Sequence, residues 1–254
     1  MSHRSAADLP GELLRMTTAP EPCSYLNEER AALTYRVYTA MTPEHLERLI
    51  SRGWRRFNLQ IFRPSCPNCS QCIGIRVPSK DFRPSRSQRR IWKQNQHITW
   101  DVQPATVSEQ HVELYNAWHT ERTQSRGWPV SQTNLIDYQE TFLFGNFPSL
   151  HEFRYFDGDT LVGVGLVDVM PNSLSSAYFY YSPAWASFSP GTFSALVELE
   201  FARQTGRSHV YFGYWIEKCS SMAYKNRFQP CELLTGYPAD DAEPVWRRAE
   251  QGTA

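Results

Sequence analysis

The sequence predicts a mixed α/β protein, α+β in layout, in which a smaller cysteine-bearing N-terminal domain packs on a larger second half. Three observations lead there. The second half alternates helical and strand periods along the chain. The first half carries short strands around a cysteine knuckle, C-x2-C-x2-C at Cys66, Cys69 and Cys72. With 254 residues and 41% hydrophobic content, the chain is long and apolar enough to bury a real core.

Each element has a local reason. Residues 1–20 and 238–254 are polar and without period, so disordered ends are expected there. Residues 34–38 (TYRVY) read as a strand. Residues 43–52 read as a helix, with Thr42 as N-cap, Pro43 in the first helical position and Gly53 past the end. Strands are expected at 60–62 and 73–77, flanking the knuckle, and a helix starts near Ser85. The stretch DVQPATVSEQ reads as the boundary between an N-terminal domain, 21–103, and a second domain, 104–237.

In the second domain, helices are expected at 109–122 and 134–144. A hairpin follows: HEFRYF, the turn Asp157-Gly158-Asp159, then LVGVGLVDV. Residues 177–181 (AYFYY) form a further strand, 192–205 a helix closed by Gly206, and 209–215 (HVYFGYW) a buried strand. Helix, antiparallel hairpin, strand, Gly-containing turn, helix and strand, in that order, support a GNAT-like acyltransferase fold for this half. The turn Ser189-Pro190-Gly191-Thr192 offers helix-start amides to an anion. It has a single glycine and no glycine-rich surroundings, so a coenzyme A pyrophosphate cradle is not expected.

Charge is unevenly spread. Between Arg48 and Lys93 stand twelve Lys/Arg against one acid, Asp81, although the whole chain carries 26 of each sign. Cations that neutralise phosphates release condensed counterions, so this basic region attracts a polyanion. Arg86, Arg89, Arg90 and Lys93 fall at i, i+3, i+4 and i+7, which puts all four on one helix face. They are the candidate nucleic-acid contacts; the plainer reading is a solvated face. No apolar stretch approaches the ~20 residues that cross a bilayer, and no secretory leader is evident at the N-terminus. A cytoplasmic location is expected.

Cys23 lies upstream of the knuckle as a fourth thiol. Together Cys23, Cys66, Cys69 and Cys72 are candidate ligands for zinc or an iron–sulfur cluster, the alternative being a knuckle of buried reduced thiols. Cys219 and Cys231 read as packed thiols. Arg76 sits in an expected strand among apolar neighbours, CIGIRVP. A cation there needs a structural carboxylate or a substrate acid. Lys225 and Arg227, in AYKNRF, face the same choice. Tyr178, Tyr180 and Tyr181 belong to the sheet core by composition, or place a phenol near a reacting group.

Six stretches carry a family resemblance: PCSYL at 22–26, SRGWRRF at 51–57, the knuckle running into PSRSQRR at 84–90, YFYYSP at 178–183, SPGTFS at 189–194, and GYWIEKCSSMAYKNRFQP at 213–230. Together they resemble the bacterial aminoacyl-tRNA–protein transferases, the aspartate/glutamate leucyltransferases related to eukaryotic arginyltransferases. The resemblance implies an activity: leucine moves from leucyl-tRNA to the α-amine of proteins beginning with Asp or Glu, marking them for N-degron degradation. It implies no cofactor for the transfer itself. The candidate catalytic residues are Tyr180, Tyr181 and Lys225, and the candidate substrate contacts Arg76, Arg227, Ser189, Gly191 and Thr192; the resemblance implies a substrate role for at least one of Arg76, Lys225 and Arg227. The basic stripe would take the tRNA. Leu26 stands where a second cysteine would complete C-x-x-C in the arginyltransferases, which favours leucine as donor. The rival readings are an arginyl donor, an acetyl-CoA-dependent N-acetyltransferase, and a non-catalytic metal-dependent RNA-binding or redox-sensing module.

Overall fold

The computed structural model describes residues 11–249. In chain order the strands are β1 (Leu14–Thr17), β2 (Glu21–Pro22), β3 (Arg30–Ala31), β4 (Leu33–Val37), β5 (Arg55–Phe57), β6 (Gln60–Pro64), β7 (Ile73–Pro78), β8 (Ile98–Pro104), β9 (Leu150–Asp157), β10 (Thr160–Val169), β11 (Ser173–Tyr181), β12 (His209–Trp215), β13 (Glu232–Leu234) and β14 (Trp246–Arg248). The helices are α1 (Pro43–Ser51), α2 (Arg86–Gln94), α3 (Glu109–Arg126), α4 (Leu135–Tyr138), α5 (Pro190–Gln204) and α6 (Ser220–Ala223).

Local chemistry sets the helix starts. Thr42 Oγ1 accepts from the His45 amide at 3.2 Å ahead of Pro43, which opens α1. Ser85 and Gln88 close a reciprocal capping box on α2. Helix α3 runs to Arg126, four residues past its expected end, and stops where Gly127 adopts φ +67°.

A mixed eight-stranded sheet in the order β14-β13-β7-β12-β11-β10-β9-β8 forms the frame, beside a four-stranded sheet β1-β4-β6-β5. Its pairs are antiparallel except β11 with β12, which run parallel and are joined through α5. Helix α5 lays Phe193, Leu196, Val197 and Leu199 into a core shared with Phe153 and Val210. Val112 and Trp118 of α3, with Tyr138 of α4, pack instead with Leu166 and Tyr180. The two sheets are riveted by a buried ion pair. Arg56 Nε donates to Asp168 Oδ1 at 2.9 Å, and Ser149 Oγ donates to the same carboxylate at 2.9 Å.

The expected domain boundary at residues 103 and 104 falls inside the architecture. Strand β8 occupies part of the presumed linker, because Ile98 and Val102 alternate inward along β9. Strands β7 and β8 lie in the same sheet as the strands of the second half. The described parts of both ends are likewise ordered into strands: β1 pairs with β4, and β14 with β13. Arg36 pins both ends, pairing with Glu12 at 2.5 Å and with Asp240 at 3.2 Å. The disorder expected for residues 1–10 and 250–254 lies outside the described residues. Among the described residues no helix is long and apolar enough to cross a membrane.

Candidate active site

Strands β11 and β12 pair only where Ser173, Leu174 and Ser175 face His209, Val210 and Tyr211. Beyond that point a cavity of about 200 Å³ lies between them, lined by Ser176 to Phe179 of β11 and Phe212 of β12. The first turns of α5 back it with Gly191, Ser194 and Glu198, and Lys225 and Phe228 close it from the segment after β12. Ligand sites in sheets of this kind favour the crevice where neighbouring parallel strands diverge.

Arg55 enters this gap from the other sheet. Strand β12 shifts register against β7 between Tyr211 and Tyr214, and Gly213 there adopts φ +79°. A Cβ on Gly213 would lie 3.1 Å from the Arg55 guanidinium. Glycine therefore permits both the irregular backbone and the close approach of the arginine.

Each cation rests on a strand that lines the gap. Arg55 donates to the Ser176 carbonyl, and its Nη1 to Ser175 Oγ at 3.0 Å. Lys225 Nζ donates to the Tyr214 carbonyl at 2.9 Å. Among the described residues neither forms an ion pair, so both keep donors for a ligand. Burial lowers Arg55 from the ordinary arginine value. Burial, followed by the charge of Arg55, brings Lys225 down to about 7.

Glu198 is the third group. It is 2% exposed. Its Oε1 accepts from Ser176 Oγ at 3.3 Å and Ser194 Oγ at 3.4 Å, while Oε2 is buried with no hydrogen-bond partner. The Tyr155 hydroxyl donates to Ser194 Oγ at 2.9 Å. Burial pushes Glu198 up to about 8, against the two serine hydroxyls and the charge of Arg55. The cavity thus holds a cation able to bind a carboxylate and two groups able to exchange a proton near neutral pH. A larger groove of about 440 Å³ between α2 and α5 has Arg89, Lys93 and Arg203 in its lining but no buried titratable group. The chemistry therefore points to the smaller cavity.

The residues singled out in the sequence divide sharply. Lys225 and Gly191 line the cavity; Ser189, Thr192 and Arg227 do not. Tyr180 is fully buried, its hydroxyl 2.6 Å from that of Tyr138, and it packs in the α3 core rather than meeting a substrate. The Tyr181 hydroxyl accepts from Arg122 at 2.5 Å, outside the cavity. Arg76 has taken the structural option: its Nε donates to Glu232 at 2.7 Å, Nη1 to Tyr211 at 3.1 Å, and the guanidinium lies 4.4 Å from the Trp246 ring centroid. Arg86, Arg89, Arg90 and Lys93 all lie exposed on α2, and none pairs with a carboxylate among the described residues.

The cysteines gather without forming a ligand set. Burial, then the thiols of Cys66, Cys23 and Cys69, push Cys72 up to about 12. Cys23 Sγ accepts from the Tyr25 amide at 3.4 Å, and Cys66 Sγ faces the Ala32 carbonyl at 3.7 Å. Among the described residues no three His, Cys, Asp or Glu side chains are placed to hold a metal ion.

Arg55 and Glu198 escaped the sequence reading. Arg55 is one of two adjacent arginines on a strand, whose side chains must point to opposite faces. Glu198 is a carboxylate set within the apolar run ALVELEF. Both were signals of an enclosed charge.

Comparison with known proteins fits this geometry. The N-terminal and C-terminal models of the arginine-tRNA-protein transferases match residues 21–90 and 110–235. The chain belongs to this family of aminoacyl-tRNA–protein transferases. Three of its relatives are named aspartate/glutamate leucyltransferase. That of Helicobacter hepaticus is 35% identical over 92% of this chain and 97% of the relative. Those of Chromobacterium violaceum and Aeromonas hydrophila are 36% and 37% identical, over 93% and 85% of this chain and 96% and 90% of theirs. Among solved structures, L-PGS from Bacillus licheniformis matches with TM-score 0.45 and 12% identity, covering 87% of this chain and 82% of that one.

Proposed function

We propose that the protein transfers leucine from leucyl-tRNA to the α-amine of cytoplasmic proteins that begin with Asp or Glu, on a GNAT-like core, and so marks them for degradation. The observation that carries this reading is the convergence of Arg55 and Lys225, neither paired with a protein carboxylate, on one small cavity. An acidic side chain supplies the missing partner through charge-assisted bonds to the guanidinium. Phe179, Phe212 and Phe228 give the cavity apolar walls. The relatives named aspartate/glutamate leucyltransferase support leucine rather than arginine as the transferred residue. The parallel pair that parts beside the start of α5 supports the GNAT-like assignment.

The reaction needs little covalent help. The amine nitrogen attacks the ester carbonyl, a C–N bond forms, and the C–O bond to the terminal ribose breaks. The nitrogen gives up a proton and the ribose oxygen receives one. Lys225, with its proton poorly held at neutral pH, relays it between them. The direct test is incubation with labelled leucyl-, phenylalanyl- and arginyl-tRNA and peptides beginning with Asp, Glu or Ala. Leucine on the Asp and Glu peptides alone is expected; transfer of arginine only, or dependence on acetyl-CoA, overturns the reading.

Two expectations arise directly. Lys225 is neutral above about 7, and the acceptor amine above ~7.7–8.0. Below pH 7, log kcat/KM is therefore expected to fall with a slope near two. Lys225→Met is expected to reduce the slope to one and slow transfer by about 10²- to 10⁴-fold. An unchanged slope in that variant removes Lys225 from the proton relay. The α2 stripe is the tRNA contact in this reading. Exchanging Arg86, Arg89 and Arg90 for Glu is expected to raise KM for leucyl-tRNA and flatten its salt dependence by roughly 0.7–0.9 per lost phosphate contact. The peptide KM stays as it was; unaltered tRNA binding would make the stripe a solvated face.

A further inference from the structure

Within the leucyl-transfer reading, on which this inference rests, Glu198 has no task. It nevertheless stands in the cavity as a 2%-exposed carboxyl with one oxygen held by Ser176 and Ser194 and the other lacking any partner. A buried polar atom left bare costs folding free energy, so a ligand that satisfies it recovers that cost on binding. Arg55 lines the same cavity, and the two groups do not ion-pair. An N-terminal Asp or Glu carries complementary groups on one residue: a side-chain carboxylate and an α-ammonium.

We propose that Glu198 Oε2 receives the α-ammonium of the acceptor and takes its surplus proton, while Arg55 holds the acidic side chain. The step is a proton transfer: the ammonium and the Glu198 carboxylate become a neutral amine and a carboxylic acid. The freed lone pair then attacks the leucyl ester. Recognition thus becomes two-point. The cavity selects an acidic side chain attached to a free amine, and an internal Asp or an acetylated N-terminus fails at the carboxyl even where Arg55 is satisfied. The rise in the carboxyl's proton affinity on burial suits a group that accepts a proton from an amine.

The test begins with the wild-type protein and no tRNA. A peptide beginning with Asp and its desamino analogue, the succinyl peptide, carry the same carboxylate and differ only in the amine. Calorimetric titration is expected to show the Asp peptide binding about 10- to 100-fold more tightly, the range for a hydrogen bond to a charged group. Equal affinities overturn the proposal without any mutation. In Glu198→Gln the Asp peptide is expected to fall to the affinity of the succinyl peptide. The succinyl affinity and the KM for leucyl-tRNA are expected to hold, and Glu198→Asp to recover part of the loss. If Glu198→Gln weakens both peptides alike, the carboxyl is structural. If it raises only the KM for leucyl-tRNA, it serves the donor's amine instead. Either result overturns the assignment. Failure of the leucyl-transfer reading shows separately, as an absence of labelled leucine on the Asp peptide with wild-type enzyme.

Discussion

Replacing Arg55 with methionine is expected to lower kcat/KM for Asp- and Glu-initiated peptides by about 2–5 kcal/mol, roughly 30- to 5,000-fold, the cost of truncating one member of a buried charge pair. The loss falls on peptide recognition, and leucyl-tRNA binding is expected to persist, because the α2 stripe is remote in sequence and exposed. Arg55→Lys is expected to restore little. A lysine offers a point charge where the cavity holds a planar fork, already committed to Ser175 and Ser176. Arg76→Gln makes the contrast: it breaks the pair with Glu232 and perturbs stability, leaving the preference for acidic termini intact. Steady-state kinetics on Asp, Asn, Glu and Gln peptides decide the matter. An Arg55→Met enzyme that still prefers Asp over Asn as strongly as wild type would move selection away from this cavity.

Asp168→Ala is expected to destabilise the protein by about 3–5 kcal/mol, since it leaves the Arg56 guanidinium buried without its carboxylate. Arg56 is 4% exposed and Asp168 fully buried, so bulk solvent screens the pair little. Ser149 loses its acceptor as well. Denaturant midpoints at constant m-value measure the effect. A change below about 1 kcal/mol would mean that the site relaxes and that the rivet between the two sheets is dispensable.

Sequence and structure agree where local rules govern. The cap at Thr42, the helix start near Ser85, the turn at Gly158, the apolar run LVGVGLVDV and the buried run HVYFGYW are short-range signals, and each marks the element it was read as. Lys225 and Gly191, which line the cavity, stand in distinctive segments of the sequence. What was not legible depends on partners distant in the chain. Whether Arg76 meets a substrate or Glu232 is decided 156 residues away. The opposite fates of Arg55 and Arg56 follow from Ser176 on one side and Asp168 on the other. Tyr180 reads like Tyr181 in sequence, yet strand alternation buries one against Tyr138 and turns the other toward Arg122. Strands β1 and β14 are short, and contacts from distant residues hold them, Arg15 to Asp240 for β1 and Trp246 to the Ser51 carbonyl for β14.

The position of β7 dictates an order of events during synthesis. This strand, from the first third of the chain, lies inside the sheet between β12 and β13, which come from its last fifth. Ile75 and Val77 are fully buried in the finished protein. Until the ribosome has released residue 234, β7 has no complete set of neighbours, and its two open edges invite pairing with other chains. Such long-range closure is slow, because the loop entropy is lost before the strand contacts form. A fragment ending at Thr205 would retain α2 and most of the cavity wall, yet lack both strands that flank β7. The first and second halves of the chain are therefore interleaved in one sheet, and neither is separable by cutting the chain between them.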